Sequence, residues 1–398
     1  MKSVVTIGLG YIGLPTSALI ASNGIPVFGV DLNQNVVDTI NRGEIHIIEP
    51  ELDKIVKKVV DNGLLKAGTK ALKSDVYLIV VPTPFMEDHK PDISYIEAAT
   101  EGIIPLLKEN DLYIIESTSP IGTTEKMRDL IYSKRPELED NINIAYCPER
   151  VLPGNVMYEL INNDRVIGGI DDKSTNAAIK FYKKFVLGQL HATNARTAEM
   201  CKLTENASRD NQIAFANELS MICDKAQINV WELIKLANKH PRVQILEPGC
   251  GVGGHCIAVD PYFISSAFPV ESQIIQKSRE INNYKASWCI MKIKEHVSIF
   301  KKEKQREPII AICGLSFKPN IDDLRESPAL FIAGQVQNTY SNNNIFFVEP
   351  NIDNHEDFII SDYSDIKNKA DLIFVLVAHR EFKKDKSNPR VISFVNLD

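Results

Sequence analysis

The sequence has no long apolar run, no excess of positive charge and no even set of cysteines, and each absence removes a class of protein. None of its 398 residues lies in a run approaching the roughly 18 apolar residues that a membrane span needs. The formal net charge of −7 gives no general attraction for nucleic acid or for anionic lipid. Seven irregularly spaced cysteines do not match a disulfide framework, which favours a reduced, cytoplasmic setting.

The composition is that of a soluble globular protein with two or three domains, at 44% hydrophobic and 24% charged residues. The segment after Met1 leads straight into an apolar strand pattern, so we expect no signal peptide. Because the overall charge is negative, an anionic ligand would need Lys or Arg side chains close to its site.

The chain begins with an apolar run over residues 3–7, three glycines and a helical stretch over 14–23. The glycines are Gly8, Gly10 and Gly13, in the spacing of a dinucleotide-binding turn. They let the backbone approach a pyrophosphate, which then faces the N-terminus of the helix. The alternative is a tight turn with only a structural role.

An acidic residue completes this pattern and favours a functional turn. A second apolar run, residues 27–30, ends in Asp31. Its carboxylate suits a ribose diol, whereas it would repel a 2′-phosphate by roughly 4 kcal/mol at about 4 Å and an effective dielectric of about 20. The sequence therefore predicts a Rossmann domain that binds NAD in preference to NADP.

Three more apolar runs end in polar residues just beyond a predicted strand. They are residues 76–81 before Pro82-Thr83-Pro84, residues 112–115 before Glu116-Ser117-Thr118, and residues 142–146 before Cys147-Pro148-Glu149. Each could be an ordinary strand-to-loop turn, but ligands in open α/β sheets bind along this edge. Three together favour a site, in which Glu149 is a candidate acid, base or water-orienting group.

A helical pattern covers residues 197–227, and it places Lys202 and Asn206 on one face because they are four residues apart. A partly buried lysine with an amide one turn further on would stabilise a developing oxyanion. Two alternatives remain: a solvated face that also carries Asp210, and a dimer interface, since the helix links two predicted domains.

Cys256 lies in a glycine-rich loop, Gly251-Val-Gly-Gly-His-Cys256, and a cysteine beside a nicotinamide site indicates a particular chemistry. Its thiolate would trap an aldehyde, and the adduct would lose a second hydride to give a thioester that water cleaves. The two glycines before His255 leave backbone N–H groups near the thiol. Asp260 comes within reach if a helix starts there.

The cysteines also permit other interpretations. A metal site of Cys250, His255, Cys256 and Asp260 is the alternative for this loop, although its spacing matches no zinc pattern well. The remaining cysteines are predicted to be buried and inert: Cys147, Cys201, Cys223, Cys289 and Cys313.

A charged linker over residues 301–307 precedes a second, smaller α/β unit, with strands predicted over 309–313, 346–348 and 372–377. Lys318 and Arg325 lie in one loop of this unit and would meet phosphates. The predicted fold class is α/β, with two doubly wound Rossmann-like domains joined by a long central helical region. The predicted domains are 1–192 for NAD, 193–300 for dimerisation and the cysteine loop, and 308–398 for the nucleotide sugar.

Taken together, these motifs resemble the UDP-glucose/GDP-mannose dehydrogenase family over essentially the whole chain. Within the family, the run Gly251 to Phe263 looks like the N-acetylamino-sugar branch, and four other runs are very similar to that branch. These are Arg42 to Pro50, Ala198 to Asn206, His240 to Val243 and Pro319 to Pro328. The resemblance implies NAD-dependent four-electron oxidation of UDP-N-acetyl-D-mannosamine at C6, for surface polysaccharide synthesis.

The resemblance also implies a role for each matching residue. Cys256 is the nucleophile, Lys202 and Asn206 stabilise the oxyanion, and Lys202 is a candidate base. Asp260, Thr118 and Glu149 order or activate water. The implied cofactor contacts are Gly8, Gly10, Tyr11, Ile12, Gly13, Asp31, Thr83, Thr118 and Arg325. The implied substrate contacts are Glu149, Arg150, Val151, Lys202, Asn206, Arg242, Gly253 and Lys318, with Arg242 reaching the substrate of a partner subunit. A homodimer through the central helical region is implied, without metal, nucleic acid or membrane.

The sequence departs from the glucose-type relatives at two places that count against UDP-glucose as substrate. The run Glu149-Arg150-Val151-Leu152-Pro153 lacks the second acid of those relatives, and Val259 stands where they carry Lys. The chain also stops at Asp398 soon after a strand-like run, whereas relatives usually continue through a short loop. UDP-N-acetylglucosamine oxidation, a two-electron β-hydroxyacid dehydrogenase and a non-catalytic nucleotide-binding protein remain the alternatives.

Overall fold

The structure is a computed structural model that describes residues 3–86, 90–151, 154–340 and 344–398. It divides into two compact units, Met1–Thr204 and Glu205–Asp398. Within the described residues, no helix is long and apolar enough to cross a bilayer.

The first unit contains an eight-stranded sheet in the order β3-β2-β1-β4-β5-β6-β7-β8. The strands are β1 Val4–Ile7, β2 Val27–Val30, β3 Leu65–Gly68, β4 Val76–Ile79, β5 Leu112–Ile115, β6 Asn143–Tyr146, β7 Arg165–Gly169 and β8 Leu190–Asn194. The first six are parallel, β7 runs antiparallel to β6, and β8 runs parallel to β7. This order of the six parallel strands is that of the dinucleotide-binding fold.

In the described part of this unit seven α-helices, together with short 3-10 turns, connect the strands. They are α1 Gly13–Ser22, α2 Gln34–Asn41, α3 Leu52–Asp61, α4 Ser94–Ile103, α5 Thr123–Lys134, α6 Val156–Asn162 and α7 Asp172–Tyr182. The central strands β4, β5 and β6 are buried along their whole length, because helices cover both faces of a parallel sheet. Their carboxyl ends therefore carry the polar residues that the sequence places just after each strand.

A 32-residue helix, α8 Ala195–Ala226, runs across the division between the units. The second unit continues with α9 Val230–Ala237, α10 Asp260–Ala267 and a second 32-residue helix, α11 Gln273–Lys304. Polar contacts join α11 to the second-unit part of α8. Three of them are buried, Arg279 to Asp210, Asn282 to Asn217 and Lys285 to Ser220, and one, Ser278 to Asn211, is partly buried.

A four-stranded parallel sheet completes the second unit, in the order β10-β9-β11-β12. Its strands are β9 Ile310–Cys313, β10 Ile345–Val348, β11 Leu372–Val375 and β12 Val391–Ser393. Its helices are α12 Pro328–Thr339, α13 Tyr363–Ile366 and α14 Arg380–Lys383. As expected for a Ser-Pro pair, the Ser327 side chain accepts a hydrogen bond from Leu330 N and caps α12.

The predicted fold class is confirmed: a mostly parallel sheet in the first unit, a parallel sheet in the second and a long central helix are present. The strands predicted over 3–7 and 76–81 are one or two residues shorter in the structure, as is usual at element ends. The boundaries of the three predicted domains stay a prediction.

Candidate active site

The turn after β1 requires glycine at its first and last positions. Gly8 has a φ of +96° and its N–H donates to the carbonyl oxygen of Val30 at 2.8 Å. A Cβ at Gly8 would lie 2.3 Å from Val80 O, and one at Gly13 would lie 1.9 Å from Gly8 O. A side chain at either position would therefore push the start of α1 away from the sheet.

The middle of this turn is open, as a phosphate-binding turn should be. A Cβ at Gly10 would meet nothing within 4 Å, and the neighbouring Tyr11 is exposed, with Ile12 half-buried. Tight packing at Gly8 and Gly13 with free space at Gly10 fits the pyrophosphate of a dinucleotide at the N-terminus of α1.

Asp31 follows β2 and is half-buried beside the turn. One carboxylate oxygen accepts the N–H of Leu9 at 3.1 Å and the other accepts the N–H of Asn33 at 2.9 Å. Burial lowers the pKa of the nearby His46, and the negative charge of Asp31 opposes that shift. Since a carboxylate oxygen accepts more than one hydrogen bond, Asp31 retains capacity for a ribose diol.

The ends of β4 and β5 are joined by a serine that the sequence analysis did not single out. Ser117 Oγ accepts the N–H of Val81 at 2.9 Å and donates to Val81 O at 2.8 Å. Thr83 and Thr118, which follow these two strands, are each half-buried. Ser117 thus fixes the backbone from which the two predicted threonines project.

The predicted substrate segment follows β6. Glu149 accepts the N–H of Arg150 at 2.5 Å, and the guanidinium of Arg165 lies 3.5 Å from its other oxygen. The Arg150 side chain donates to Asp164 O at 3.4 Å, and Val151 is half-buried. Leu152 and Pro153, which belong to the departure from glucose-type relatives, lie outside the described residues.

A buried polar cluster lies near Glu149. Arg165 stacks over the ring of Tyr182 at 5.1 Å, and the Tyr182 hydroxyl donates to Glu116 at 2.5 Å. Burial raises the pKa of Glu116 to about 7, against the lowering effect of Arg165. Arg165 and Tyr182 stand in no recognisable motif, so only the fold brings them together.

Two further carboxylates of the first unit hold backbone near predicted site residues. The buried Glu49 accepts the N–H groups of Gly154 at 2.9 Å and Val156 at 2.7 Å, at the start of α6. Glu199, three residues before Lys202, accepts the N–H groups of Gly122 at 2.6 Å and Thr124 at 2.8 Å. Burial raises the pKa of Glu199, and these hydrogen bonds oppose the shift.

The polar face of α8 divides into site candidates and structural residues. Lys202 and Asn206 are both half-buried. Asp210 is fully buried and forms an ion pair with Arg279 at 2.7 Å, with a further hydrogen bond from Asn282. Asp210 therefore stabilises the packing of the second unit, whereas the Lys202 and Asn206 side chains stay partly exposed.

The cysteine loop brings three predicted catalytic residues of the second unit together. The N–H of Asp260 donates to Cys256 O at 2.8 Å, because α10 begins at Asp260. Asn206 Nδ2 donates to Asp260 Oδ2 at 2.5 Å. A helix does start at Asp260, as the sequence analysis required. The backbone of the half-buried Cys256 is therefore hydrogen-bonded to the residue whose carboxylate binds the Asn206 amide.

Glycines shape this loop by allowing close packing. A Cβ at Gly253 would lie 2.6 Å from Glu326 O and 2.7 Å from Phe317 Cβ. Gly254 donates its N–H to Arg325 O at 3.0 Å. One of the two amides expected near the thiol is therefore engaged elsewhere, and the cysteine loop rests against the loop that carries Lys318.

Cys250 has a different environment from Cys256. It is buried, and the neighbouring Cys289 thiol together with burial raises its pKa well above the usual value. Its Sγ donates to Leu376 O at 3.4 Å. In the described part of the chain no three His, Cys, Asp or Glu side chains are grouped to hold a metal ion.

Three of the predicted cationic contacts, Lys318, Arg325 and Arg242, are exposed, whereas Arg150 and Lys202 are half-buried. Lys318 projects from the loop after β9. The Arg325 guanidinium forms an ion pair with Asp323 at 2.6 Å. Arg242 lies at an exposed turn that Asn238 closes, by donating to Ile245 O at 2.9 Å and accepting Ile245 N–H at 2.7 Å.

Comparison with known proteins assigns the family. Models of the UDP-glucose/GDP-mannose dehydrogenase family match in order along the chain: the NAD binding domain at residues 2–186, the central domain at 196–284 and the UDP binding domain at 311–394. The chain belongs to this family. As a member of the UDP-glucose/GDP-mannose dehydrogenase family it is an NAD-dependent oxidoreductase, in agreement with the shape of the Gly8–Gly13 turn.

Individual relatives are similar over nearly the whole chain. UDP-N-acetyl-D-mannosamine dehydrogenase of Campylobacter jejuni is 52% identical, covering 99% of each chain. NDP-N-acetyl-D-galactosaminuronic acid dehydrogenase of Ralstonia nicotianae is 49% identical, covering 98% of this chain and 95% of the relative. The solved UDP-D-ManNAc dehydrogenase of Pyrococcus horikoshii superposes with a TM-score of 0.89 at 38% identity, covering 100% of this chain and 96% of the other.

Proposed function

We propose that this protein oxidises UDP-N-acetyl-D-mannosamine at C6 to UDP-N-acetyl-D-mannosaminuronic acid, with two NAD per turnover. The observation that carries this proposal is the arrangement in the second unit: a half-buried Cys256 whose carbonyl binds the Asp260 N–H, with Asn206 bound to the Asp260 carboxylate. An alcohol dehydrogenase that stops at the aldehyde needs no cysteine in such a loop.

In the first half of the reaction the C6 alcohol becomes an aldehyde. NAD, when bound, accepts one hydride in each of the two oxidation steps. We assign Lys202 and Asn206 to stabilise the negative charge that develops on the C6 oxygen, and Lys202 to take the hydroxyl proton. The Cys256 thiolate then adds to the aldehyde carbon, and the new C–S bond gives a thiohemiacetal.

In the second half the thiohemiacetal loses a hydride and its hydroxyl proton to become a thioester. We assign Glu149, Asp260 and Thr118 to order and activate the water that adds to the thioester carbonyl. The C–S bond breaks, and the carboxylate leaves with the thiol restored. In total one alcohol, two NAD⁺ and one water give one carboxylate, two NADH and three protons.

We assign the predicted binding residues to parts of the ligands according to their positions in the family motifs. Lys318 meets the nucleoside diphosphate, Gly253 and the segment Glu149 to Val151 meet the sugar, and Arg325 meets the cofactor. Exposed apolar side chains of the central helices support a homodimer, in which Arg242 reaches the partner's substrate. These side chains are Phe215, Ile222, Leu236, Tyr284 and Met291. All seven cysteines are free thiols, which supports a cytoplasmic location.

A second candidate differs only in the configuration of the sugar. The Ralstonia nicotianae relative, whose identity is nearly as high, is named for an N-acetyl-D-galactosaminuronic acid product. Both reactions use the same thioester chemistry, so the chemistry of Cys256 does not separate them. The groups that read the hydroxyl and acetamido configurations decide between them, and a substrate panel measures that directly.

The deciding experiment is to count NADH formed per mole of sugar nucleotide at completion. The panel contains UDP-N-acetylmannosamine and the N-acetylglucosamine, N-acetylgalactosamine and glucose counterparts. Two NADH on the mannosamine compound, with slower turnover of the others, is the expected result. Preference for the galactosamine compound selects the second candidate, one NADH removes the thioester step, and no turnover with tight binding indicates a non-catalytic protein.

A matched pair of cysteine variants separates chemistry from folding. Cys256→Ser is expected to lower acid formation by about a thousandfold or more, because serine lacks the nucleophilicity of a thiolate. Cys201, which the sequence analysis wrongly predicted to be buried, is similarly half-buried on α8, and Cys201→Ser is expected to retain full activity. Full acid formation by the Cys256→Ser variant would contradict the mechanism.

A further inference from the structure

A buried histidine and a buried glutamate lie at the carboxyl ends of the second sheet, outside the residues assigned above. Glu349 directly follows β10 and is 2% exposed, while His379 follows β11 and is 0% exposed. His379 Nε2 lies 3.1 Å from the Glu349 carboxylate. The same carboxylate accepts the N–H groups of Leu315 at 2.7 Å and Ser316 at 3.0 Å, so it anchors the turn after β9.

The hydrogen bonds define the protonation state of His379. The Asn320 N–H donates to Nδ1 at 3.0 Å, and the Asn351 side-chain amide approaches the same nitrogen at 3.0 Å. A nitrogen that accepts from an N–H carries no proton of its own, so Nδ1 is bare. The ring is therefore neutral, with its proton on Nε2, from which it donates to Glu349.

Asn320 and the residues at His379 hold each other reciprocally. Asn320 has a left-handed φ of +61°, its N–H binds His379 Nδ1, and its side-chain oxygen accepts the N–H of Arg380 at 3.2 Å. On the other side of the loop, Ser316 Oγ donates to Lys318 O at 2.9 Å and lies 3.4 Å from His379 Nε2. The exposed Lys318 thus lies in the middle of residues 316–320, and the first and last residues of this stretch both contact the His379 imidazole.

We propose that His379, as the neutral Nε2–H tautomer, is a positioning residue that fixes the Lys318 loop for the diphosphate of the nucleotide sugar. This inference rests on the proposed function, because it takes Lys318 as the diphosphate contact. The imidazole joins the Glu349 carboxylate, which holds the start of the loop, to the Asn320 N–H at its end. Loss of the Nδ1 acceptor would free Asn320 and, with it, the backbone that aims Lys318.

Two substitutions of His379 separate its two nitrogens. The side-chain oxygen of His379→Asn lies near the Nδ1 position, so it still accepts from Asn320 but cannot reach Glu349. The side-chain amide of His379→Gln lies near the Nε2 position, so it still donates to Glu349 but leaves the Asn320 N–H without an acceptor. Both lose the ring contact with Phe382, so that loss is common to the pair.

The full-length protein would be titrated with UDP and, separately, with NAD, and hydrogen exchange would be followed in peptide 314–320. We expect His379→Gln to weaken UDP binding about tenfold and to speed exchange of this peptide, since the Asn320 N–H loses its acceptor and a lost hydrogen bond costs about 1.4 kcal/mol. His379→Asn should stay within about threefold of the unsubstituted protein. Neither variant should change NAD affinity, and Lys318→Met should lose UDP binding with the loop still protected.

Equal effects of the two variants on both UDP binding and exchange would overturn the inference. They would show that the His379 ring contributes only to packing and that its Nδ1 atom does not hold the loop. Unchanged exchange and unchanged UDP affinity in His379→Gln would overturn it as well. If the unsubstituted protein binds no UDP, the proposed substrate class fails, while the exchange contrast between the two variants still decides whether His379 fastens the loop.

Discussion

The turn after β1 and the turn after β9 are built alike, one in each unit. In both, a glycine with positive φ donates its N–H at 2.8 Å to the last residue of the neighbouring strand: Gly8 to Val30 and Gly314 to Val348. In both, the next residue is an acid that accepts the N–H following the glycine. Asp31 accepts from Leu9 at 3.1 Å, and Glu349 accepts from Leu315 at 2.7 Å.

The two acids differ in what remains available to a ligand. Asp31 is half-buried and holds two backbone N–H groups, so its outer face can receive a ribose. Glu349 is sealed by His379, Asn351 and the turn itself, so it can serve only the protein. The same local device therefore supports direct recognition in the first unit and loop positioning in the second.

The largest effect is expected where the first turn has no space at all. Gly13→Ala would place a Cβ 1.9 Å from Gly8 O, and backbone cannot yield as a flexible side chain does. We expect a loss of stability of about 3 kcal/mol and loss of NAD binding by about a hundredfold or more. Urea unfolding and NAD titration measure these two effects.

Two alanine variants at other glycines test whether the turns are alike. Gly314→Ala meets Val377 Cβ at 2.5 Å with an unfavourable φ of +93°, so it should destabilise the protein and weaken UDP binding but not NAD binding. Gly10→Ala meets no atom within 4 Å and should fold normally, with its deficit confined to NAD. Equal stability losses at Gly10 and Gly13 would contradict the packing account.

Sequence patterns located these turns unequally well. The glycine spacing after β1 and the acid at Asp31 are adjacent signals with a strand on each side, so both element and role could be predicted. Cys256 and Asp260 likewise lie four residues apart in one loop. The short strands β3 and β8 were missed because Leu65–Gly68 and Leu190–Asn194 contain no apolar run.

The buried partners could not be predicted, for a physical reason. Glu349 and His379 are 30 residues apart, Glu49 and Val156 are 107 apart, and Glu116 and Tyr182 are 66 apart. Nothing local distinguishes such residues from surface ones, since only the folded arrangement of strands and helices buries them and gives them donors. The predicted ligand-binding residues lie in sequence motifs and can be found from the sequence. The residues that position them are brought together only by the tertiary structure.

The next effect tests how strongly Glu349 is held. Burial opposes its ionisation, but His379, Leu315 N–H and Asn351 lower its pKa to about 2. The ionised form thus contributes about 3 kcal/mol above pH 4.5, which is lost as the pH falls toward 2. Glu349→Gln should lower the free energy of unfolding at pH 7 by about that amount.

The pH dependence provides the control for this variant. By pH 3.5 protonation of Glu349 should have lowered the free energy of unfolding of the unsubstituted protein by about 1.4 kcal/mol. The Gln variant should not show this part of the decrease. Parallel stability curves for the two proteins between pH 6 and 3.5 would show that the carboxylate is not held as the contacts indicate.

A buried acid of the first unit should respond to pH in the opposite direction. Glu116 has Tyr182 as a donor, and among the described residues its Oε2 atom has no hydrogen-bond partner, so burial dominates and its pKa rises to about 7. Between pH 4.5 and 7 the unfolded chain ionises while the folded protein stays protonated. Stability therefore falls by up to about 3 kcal/mol over this window, and not below it. Glu116→Gln should remove that fall, as urea midpoints at pH 5 and pH 8 would show.

The smallest effect is expected at Asp31, the acid that remains partly exposed, and it should be limited to the choice between NAD and NADP. Asp31→Asn keeps an oxygen for one backbone N–H but removes the charge that repels a 2′-phosphate, so the preference for NAD over NADP should fall about tenfold. UDP affinity should not change, because the Asp31 carboxylate takes its hydrogen bonds from Leu9 and Asn33 alone among the contacts above. Ratios of kcat/KM for the two cofactors measure the effect. If Asp31→Asn lost as much stability as Glu349→Gln and kept its cofactor preference, both acids would have only structural roles. The two turns would then not differ in function.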